Sequence, residues 1–338
     1  RGVDAGMYVG SGKAMEIARL AIRHKADVVI FDNDLSPGQI GALEKLINKE
    51  ARSKPAEGIK VLDRSELILD IFATRAQTRE ARLQVALAQM EYTYPRLTRM
   101  WGHLERIAGG APAGIGARGP GEMQLEIDRR LVSKRIIDLK RELKEIDKRK
   151  VREIDGRREM FKVCLVGYTN AGKSTLLNAL TNAEAFVENR LFATLDTKTK
   201  KWQPHRGVEI LLSDTVGFVK NLPHQLVASF KATLEEAVNA DLLLHVIDVS
   251  NPEVSKQIEA VNIVLAEIGC EKKPGLEVFN KTDVVRNIAE LEILQTLYPK
   301  AISVSAKTGI GLVKLSDAVT EKYKGGEVLL RVISSQSN

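Results

Sequence analysis

Gly167-Tyr168-Thr169-Asn170-Ala171-Gly172-Lys173-Ser174 is the stretch that decides how the rest of the chain is read. An apolar run, Phe161 to Val166, precedes it and a helix-prone run, Thr175 to Leu180, follows. The order strand, glycine loop, helix is the setting of a phosphate-binding loop. Two glycines let the backbone wrap around phosphate oxygens. Successive N–H groups and the N-terminal dipole of the following helix aim positive charge at them. Lys173 adds a mobile full charge for the outer phosphates, and the Ser174 hydroxyl suits a Mg²⁺ ligand. Asn170 fits two roles: a ligand for a monovalent cation such as K⁺ beside the phosphates, or a helix-capping side chain.

Further motifs follow in the order a nucleotide switch requires. Asp214-Thr215-Val216-Gly217 ends an apolar strand, Val208 to Leu212. An acid there holds Mg²⁺ through water, and the glycine N–H can reach a γ-phosphate. An Asp-x-x-Gly spacing alone arises about once by chance in such a chain, so its place at a strand end carries the signal. Asn280-Lys281-Thr282-Asp283 follows the strand Leu276 to Phe279. Its aspartate can accept from both N1 and the exocyclic amine of guanine, a donor pair adenine lacks, so the motif selects GTP. Ser305-Ala306-Lys307, after Ala301 to Val304, offers a backbone N–H to the guanine carbonyl. Between them, Phe192-Ala193-Thr194-Leu195-Asp196 supplies a threonine hydroxyl that can complete the Mg²⁺ shell and sense the γ-phosphate.

Together the motifs imply a GTPase with Lys173 and Gly217 at the reacting phosphate. Phe218 stands where many GTPases have a water-orienting glutamine. Slow intrinsic hydrolysis, accelerated by a partner, is the expectation, and Phe218→Gln should leave that acceleration largely intact. His205 and His224 are read as surface or core residues rather than bases.

The chain has 338 residues, enough for two or three domains, and its 44% hydrophobic and 28% charged residues describe a globular protein. A net charge of +7 suits a polyanionic partner without proving one. Cys164 and Cys270 are the two cysteines, which implies a reduced compartment. No apolar run reaches the ~18 residues of a membrane span. The expectation is a cytoplasmic monomer without membrane contact. Because the chain begins at Arg1 rather than Met, a removed leader and an organellar stroma or matrix stay open.

Upstream of the loop, helix and strand signals alternate: a helix from Ala14 to Ile22, a strand at Val28 to Phe31 and another at Ile59 to Leu62. Ser36-Pro37-Gly38-Gln39 reads as a capping box with Pro37 as first helical residue, and Asp63 caps the helix that follows the second strand. From Leu67 one long helix is expected. It has a seam of Leu83, Leu87, Met90, Tyr94, Leu97, Trp101 and Leu104, kinked or divided at Pro95. After a glycine-rich break the seam resumes at Leu125, Val132, Leu139 and Ile146, with Ile136 and Leu143 between, so two arms can bury each other antiparallel. The opposite faces carry Arg75, Arg79, Arg82, Arg96 and Arg99 on one arm, and Arg129, Arg130, Lys134, Arg135, Lys140, Arg141, Lys148, Arg149 and Lys150 on the other. Interleaved acids leave RNA binding and a solvated, salt-bridged face equally open. Arg118, the one guanidinium of the tip, suits bidentate phosphate contact.

The tip Arg118-Gly119-Pro120-Gly121-Glu122-Met123-Gln124-Leu125-Glu126, the loop Gly167 to Ser174, Phe192 to Asp196, Asp214 to Phe218 and Asn280 to Asp283 resemble HflX, a family of translation-factor-related GTPases. The resemblance runs from Tyr8-Val9-Gly10-Ser11-Gly12-Lys13 nearly to the end. It implies an N-terminal α/β domain with a coiled-coil hairpin, a G domain, and binding to the large ribosomal subunit and its RNA, with dissociation of stalled or idle ribosomes under stress. It carries nucleotide contacts over to residues 167–174, 192–196, 214–217, 280–283 and 305–307, and Mg²⁺ ligands to Ser174 and Thr194. There are departures. Thr197 and Lys198 follow Asp196 where the family has Pro-Thr, Ala111-Pro112-Ala113 lengthens the break, and Met123 replaces a common threonine. A C-terminal domain found in many relatives is expected to be short, absent or truncated.

The expected α/β architecture is a subdomain over 1–66, a helical hairpin over 67–156 with its tip at 109–121, a P-loop G domain with a mostly parallel, doubly wound sheet over 157–325, and a tail over 326–338. Two other readings stay open: a nucleotide-dependent RNA-remodelling enzyme, and a regulatory GTPase acting on a protein partner.

Overall fold

A computed structural model describes residues 3–51, 58–107, 120–155, 160–181, 197–219 and 231–336. The chain divides into two compact units, Arg1–Thr74 with Arg82–Glu145, and Arg75–Ala81 with Ile146–Asn338.

In the first unit, β1 (Val28–Ile30) and β2 (Lys60–Leu62) pair in parallel, Val29 opposite Val61. Helices α1 (Ser11–Arg23) and α2 (Pro37–Ala51) supply Ala14, Ala18, Leu43 and Ile47 to a core shared with Phe31, Leu35 and Val61. The capping box forms as the sequence predicts: Ser36 N–H donates to Gln39 Oε1 at 2.8 Å and Gln39 N–H to Ser36 Oγ at 3.3 Å. Asp63 caps α3 (Arg64–Arg75) by accepting the Glu66 N–H at 2.8 Å.

The long helix expected from Leu67 is two helices. α3 stops at Arg75, and α4 (Arg79–Ile107) begins behind Thr78, whose Oγ1 accepts the Ala81 N–H at 3.1 Å. A side-chain cap at Thr78 outweighs the apolar period that runs across the break. Pro95 lies inside α4 without dividing it.

The seam also differs. Ala81, Gln84, Val85, Leu87, Ala88 and Tyr92 are buried, whereas Leu83, Met90 and Tyr94 are only half-buried. Small alanines allow close approach, so the stripe buried among the described side chains runs through them as well as through Leu87 of the seam; the side chains of Leu97, Trp101 and Leu104 lie outside the described residues. On α5 (Pro120–Asp155) Leu139 is fully buried, and Lys140 Nζ meets Glu91 of α4 at 2.7 Å.

Arg96 does not belong to an open basic face. Its guanidinium lies 3.3 Å over the Tyr92 ring and donates to Asp63 Oδ2 at 3.2 Å and to the Leu35 carbonyl at 3.3 Å. Asp63, fully buried, also accepts the Leu35 N–H. One carboxylate therefore caps a helix, anchors a loop and neutralises a cation brought by α4.

In the second unit a six-stranded sheet runs in the order β4-β5-β3-β6-β7-β8. Its strands are β3 (Phe161–Val166), β4 (Lys198–His205), β5 (Val208–Asp214), β6 (Leu242–Asp248), β7 (Gly275–Asn280) and β8 (Ile302–Ser303). Every neighbouring pair is parallel except the edge pair β4–β5. Long apolar runs such as Cys164-Leu165-Val166 suit strands covered on both faces.

One core joins Val163, Leu165, Ile210, Leu212, Leu244 and Val246 to Leu176 and Leu177 of α6 (Lys173–Thr181) and to Leu315 and Val319 of α10 (Leu312–Gln336). A second joins Ile247 and Phe279 to Val254 and Ile258 of α8 (Val254–Glu267) and Leu294 of α9 (Ile288–Leu297). Among the described residues a further helix, α7 (Lys231–Val238), follows β5. Helix α10 passes without a break through position 325, where a domain end was expected.

Candidate functional site

The loop between β3 and α6 owes its path to two glycines. A Cβ on Gly167 (φ 152°) would sit 2.2 Å from the Val246 carbonyl oxygen, and one on Gly172 (φ 95°) 2.3 Å from Asn280 Nδ2. Only glycine lets this backbone approach β6 and the end of β7 so closely. Asn170 is exposed and left-handed (φ 62°). Asparagine tolerates that conformation better than most residues. Helix α6 starts at Lys173, so Asn170 does not cap it.

Lys173 is buried and its Nζ donates to the Gly167 and Tyr168 carbonyls at 3.1 and 3.0 Å. Burial pushes its pKa down to about 8, with Asp214 working against the shift. Ser174 Oγ donates to Asp214 Oδ2 at 2.6 Å, and Asp214 is fully buried at the end of β5. A hydroxyl and a carboxylate converging beside a phosphate loop are the hard oxygen donors Mg²⁺ takes, with phosphates and water completing its shell. Among the described residues no cluster of three His, Cys, Asp or Glu side chains offers an alternative metal site.

Thr215 Oγ1 donates to the Leu165 carbonyl at 2.7 Å and Val216 is buried, so both brace the end of β5. Gly217 lies against the loop: a Cβ there would be 2.6 Å from Thr169 Cα and 3.1 Å from Lys173 Nζ. Phe218 follows with its side chain wholly buried. Its N–H donates to the Gly167 carbonyl at 3.1 Å, and its carbonyl accepts the Thr169 N–H at 2.7 Å. Sequence reasoning treated Phe218 as a missing catalytic group. The structure makes it an anchor of the phosphate loop, so its replacement by glutamine buries an amide rather than presenting one.

Asn280 ties three motifs together. Its Nδ2 donates to the Ala171 carbonyl at 2.9 Å and its Oδ1 accepts the Ala306 N–H at 3.0 Å. Lys281, left-handed (φ 63°), reaches the Asn170 carbonyl and Asp248 Oδ2, each at 2.7 Å. Thr282 Oγ1 donates to the Val304 carbonyl at 2.9 Å, while Asp283 is exposed on the short 3₁₀ turn Thr282–Val284. Ser305 is buried, its Oγ accepting the Thr308 N–H at 3.1 Å; Lys307 is exposed. The structure thus gathers Gly167 to Ser174, Asp214 to Gly217, Asn280 to Asp283 and Ser305 to Lys307 at the carboxyl ends of β3, β5, β7 and β8, where ligands bind in open α/β sheets. Phe192 to Asp196, including Thr194, and the tip as far as Gly119, with Arg118, lie outside the described residues, while Pro120 and Gly121 open α5.

Two contributors escaped the sequence reading. Asp248 ends β6 as Asp214 ends β5, a strand-end acid that could have been singled out. His245 faces Val166 in register; burial first, then the Lys173 charge, pushes its pKa down to about 4, so it is neutral at pH 7.

Residues 1–73, 75–157 and 162–281 match family models described as GTP-binding GTPase N-terminal, GTP-binding GTPase Middle Region and 50S ribosome-binding GTPase. The chain is 44% identical over 332 residues to "GTPase HflX" of Caldanaerobacter subterraneus subsp. tengcongensis, covering 97% of this chain and 73% of that protein. It is 45% identical over 324 residues to "GTPase HflX" of Escherichia coli K12, covering 94% and 72%. A solved structure described as a complex of SsGBP and GDP is similar at 26% identity and a TM-score of 0.51, covering 94% of this chain and 86% of that one.

Proposed function

The chain belongs to the HflX family of GTPases, and from that premise we propose that its GTP cycle acts on the large ribosomal subunit, parting stalled or idle ribosomes. GTP hydrolysis to GDP and phosphate is the family's activity. The observation that carries the assignment of the site is Asn280, whose two hydrogen bonds make the phosphate loop and the two base-reading loops one unit.

In this reading Gly167 to Ser174 cradle the phosphates, and Lys173 exchanges its bonds to the Gly167 and Tyr168 carbonyls for phosphate oxygens. Asp283 accepts from guanine, with the Ala306 region at the guanine carbonyl. Ser174 and Thr194 would hold Mg²⁺ directly and Asp214 through water, and the ion would supply positive charge to offset that of the outer phosphates. Gly217 reaches the γ-phosphate. With Phe218 buried, no side chain at that position orients water, which supports slow hydrolysis until the ribosome completes the site. K⁺ beside Asn170 is a further part of the proposal. Arg118 is the proposed tip contact to RNA, and the site of action is wherever such ribosomes lie, the cytoplasm or an organelle. Among the described residues no helix is long and apolar enough to cross a membrane.

Steady-state GTP hydrolysis, with and without purified large subunits, in potassium and in sodium, tests this. Strong stimulation that Arg118→Ala weakens is the expected result, and a potassium requirement would support the cation role. Absence of stimulation by active subunits removes the ribosomal part and leaves a GTPase with another partner.

A further inference from the structure

Strand β5 sends alternate side chains to opposite faces of the sheet. Ile210 and Leu212 enter the core under α6, so Ser213 points to the other face. There it is register partner to Thr199 of β4, their hydroxyl oxygens 2.8 Å apart, and it donates to Glu236 Oε2 of α7 at 3.4 Å. Ser213 is buried and directly precedes Asp214. β4 begins two residues after Asp196, the end of the first switch segment, and α7 follows the segment that starts at Gly217.

Each hydroxyl has a single proton, and a carboxylate only accepts. Ser213 therefore gives its proton to Glu236 and accepts from Thr199: the charge at one end sets the direction of both bonds. The link to Glu236 is also the longer one, so a small displacement of α7 makes or breaks it.

We infer that Thr199, Ser213 and Glu236 form a polar relay that holds the strand leaving the first switch and the helix leaving the second in one arrangement, with Glu236 a positioning residue for GTP hydrolysis. The inference rests on the GTPase reading above. Ordinary polar packing under α7 would give stability without touching turnover, and that difference is measurable.

The experiment compares wild type, Ser213→Ala, Glu236→Ala, their double variant and Ser213→Thr for kcat and KM in GTP hydrolysis, affinity for fluorescent GDP, and thermal midpoint. Losing one such hydrogen bond predicts a fall in kcat of about five- to tenfold with KM and GDP affinity within about twofold. The double variant should be no worse than either single one, because both break the same chain. Ser213→Thr, which keeps the hydroxyl, should recover most of the rate. If Ser213→Ala does not fold, Thr199→Val removes the donor at the other end and carries the same expectation. Unchanged kcat in an active protein, losses that multiply in the double variant, or losses that track the thermal midpoint overturn the relay alone. A wild type that binds GDP but never hydrolyses GTP overturns the relay and the GTPase reading together.

Discussion

The loop Gly167 to Ser174 and the arm α4 are both marked in the sequence by spacing, yet the structure honours the two spacings differently. In the loop, each glycine stands where a Cβ would strike a backbone or amide atom, so the pattern of residue types is imposed by covalent geometry. In the arm, the heptad of large apolar residues is only one of the faces a helix can bury. Among the described side chains the one used passes through Ala81, Val85, Ala88 and Tyr92 and shares only Leu87 with the heptad. Local backbone constraints leave a readable signature; the choice of a helix's buried face is made by partners far away in sequence.

Gly167→Ala attacks the constrained side of this contrast and should have the largest effect. A methyl 2.2 Å from the Val246 carbonyl oxygen cannot be accommodated unless β3 and β6 part. Overpacking and strain of this kind add up to about 4 kcal/mol and predict a loss of GDP affinity of about a thousandfold in a fluorescent titration. Wild-type affinity would show that the loop is not held by that contact.

Phe218→Gln comes next. With the ring fully buried, the change removes its packing and buries an amide, at a cost of about 3 kcal/mol. Urea unfolding followed through the buried Trp202, in a Trp101→Phe background, reads it. A stable variant with faster intrinsic hydrolysis would mean that the side chain turns into the site, as the sequence alone suggests.

The same contrast explains what was legible. The capping box at Ser36, the cap at Asp63, the strand-loop-helix order and the motifs at strand ends all depend on residues within a few positions of one another, and all are where the sequence puts them. Strand β4 was missed because Lys198-Thr199-Lys200-Lys201 lacks an apolar run. Lysines are instead what an exposed sheet edge carries to discourage unwanted pairing. The Thr78 cap lay hidden under an apolar period that continues across it. Arg96 was counted with the surface arginines because nothing local shows that Asp63, 33 residues away, waits for it.

Arg96→Ala tests that long-range choice. It leaves Asp63 buried with its two backbone donors but no cation, for a cost of about 2 kcal/mol, below that of breaking a fully buried ion pair because the arginine is partly exposed. Arg130→Ala, on the exposed face of α5, should stay within about 0.5 kcal/mol. Hydrogen exchange of the α3 and α4 amides separates the two. Equal effects would return Arg96 to the surface set.

The smallest expected effect is the sharpest test of the arm itself. Side-chain size and the heptad both rank Leu83→Ala as worse than Val85→Ala, since more carbon is removed and Leu83 sits on the seam the sequence draws. Burial reverses the order. Val85 is 2% exposed and loses its full packing, about 2 kcal/mol, whereas Leu83 is only partly buried and loses about 1 kcal/mol. Because a chain of two units need not unfold in one step, the comparison belongs on exchange rates of α4 amides under native conditions, where each variant reports the local opening of its own helix. Faster exchange in Val85→Ala than in Leu83→Ala supports the alanine-lined stripe as the packed face. The opposite order supports the heptad, and with it a hairpin whose register is set by its largest side chains.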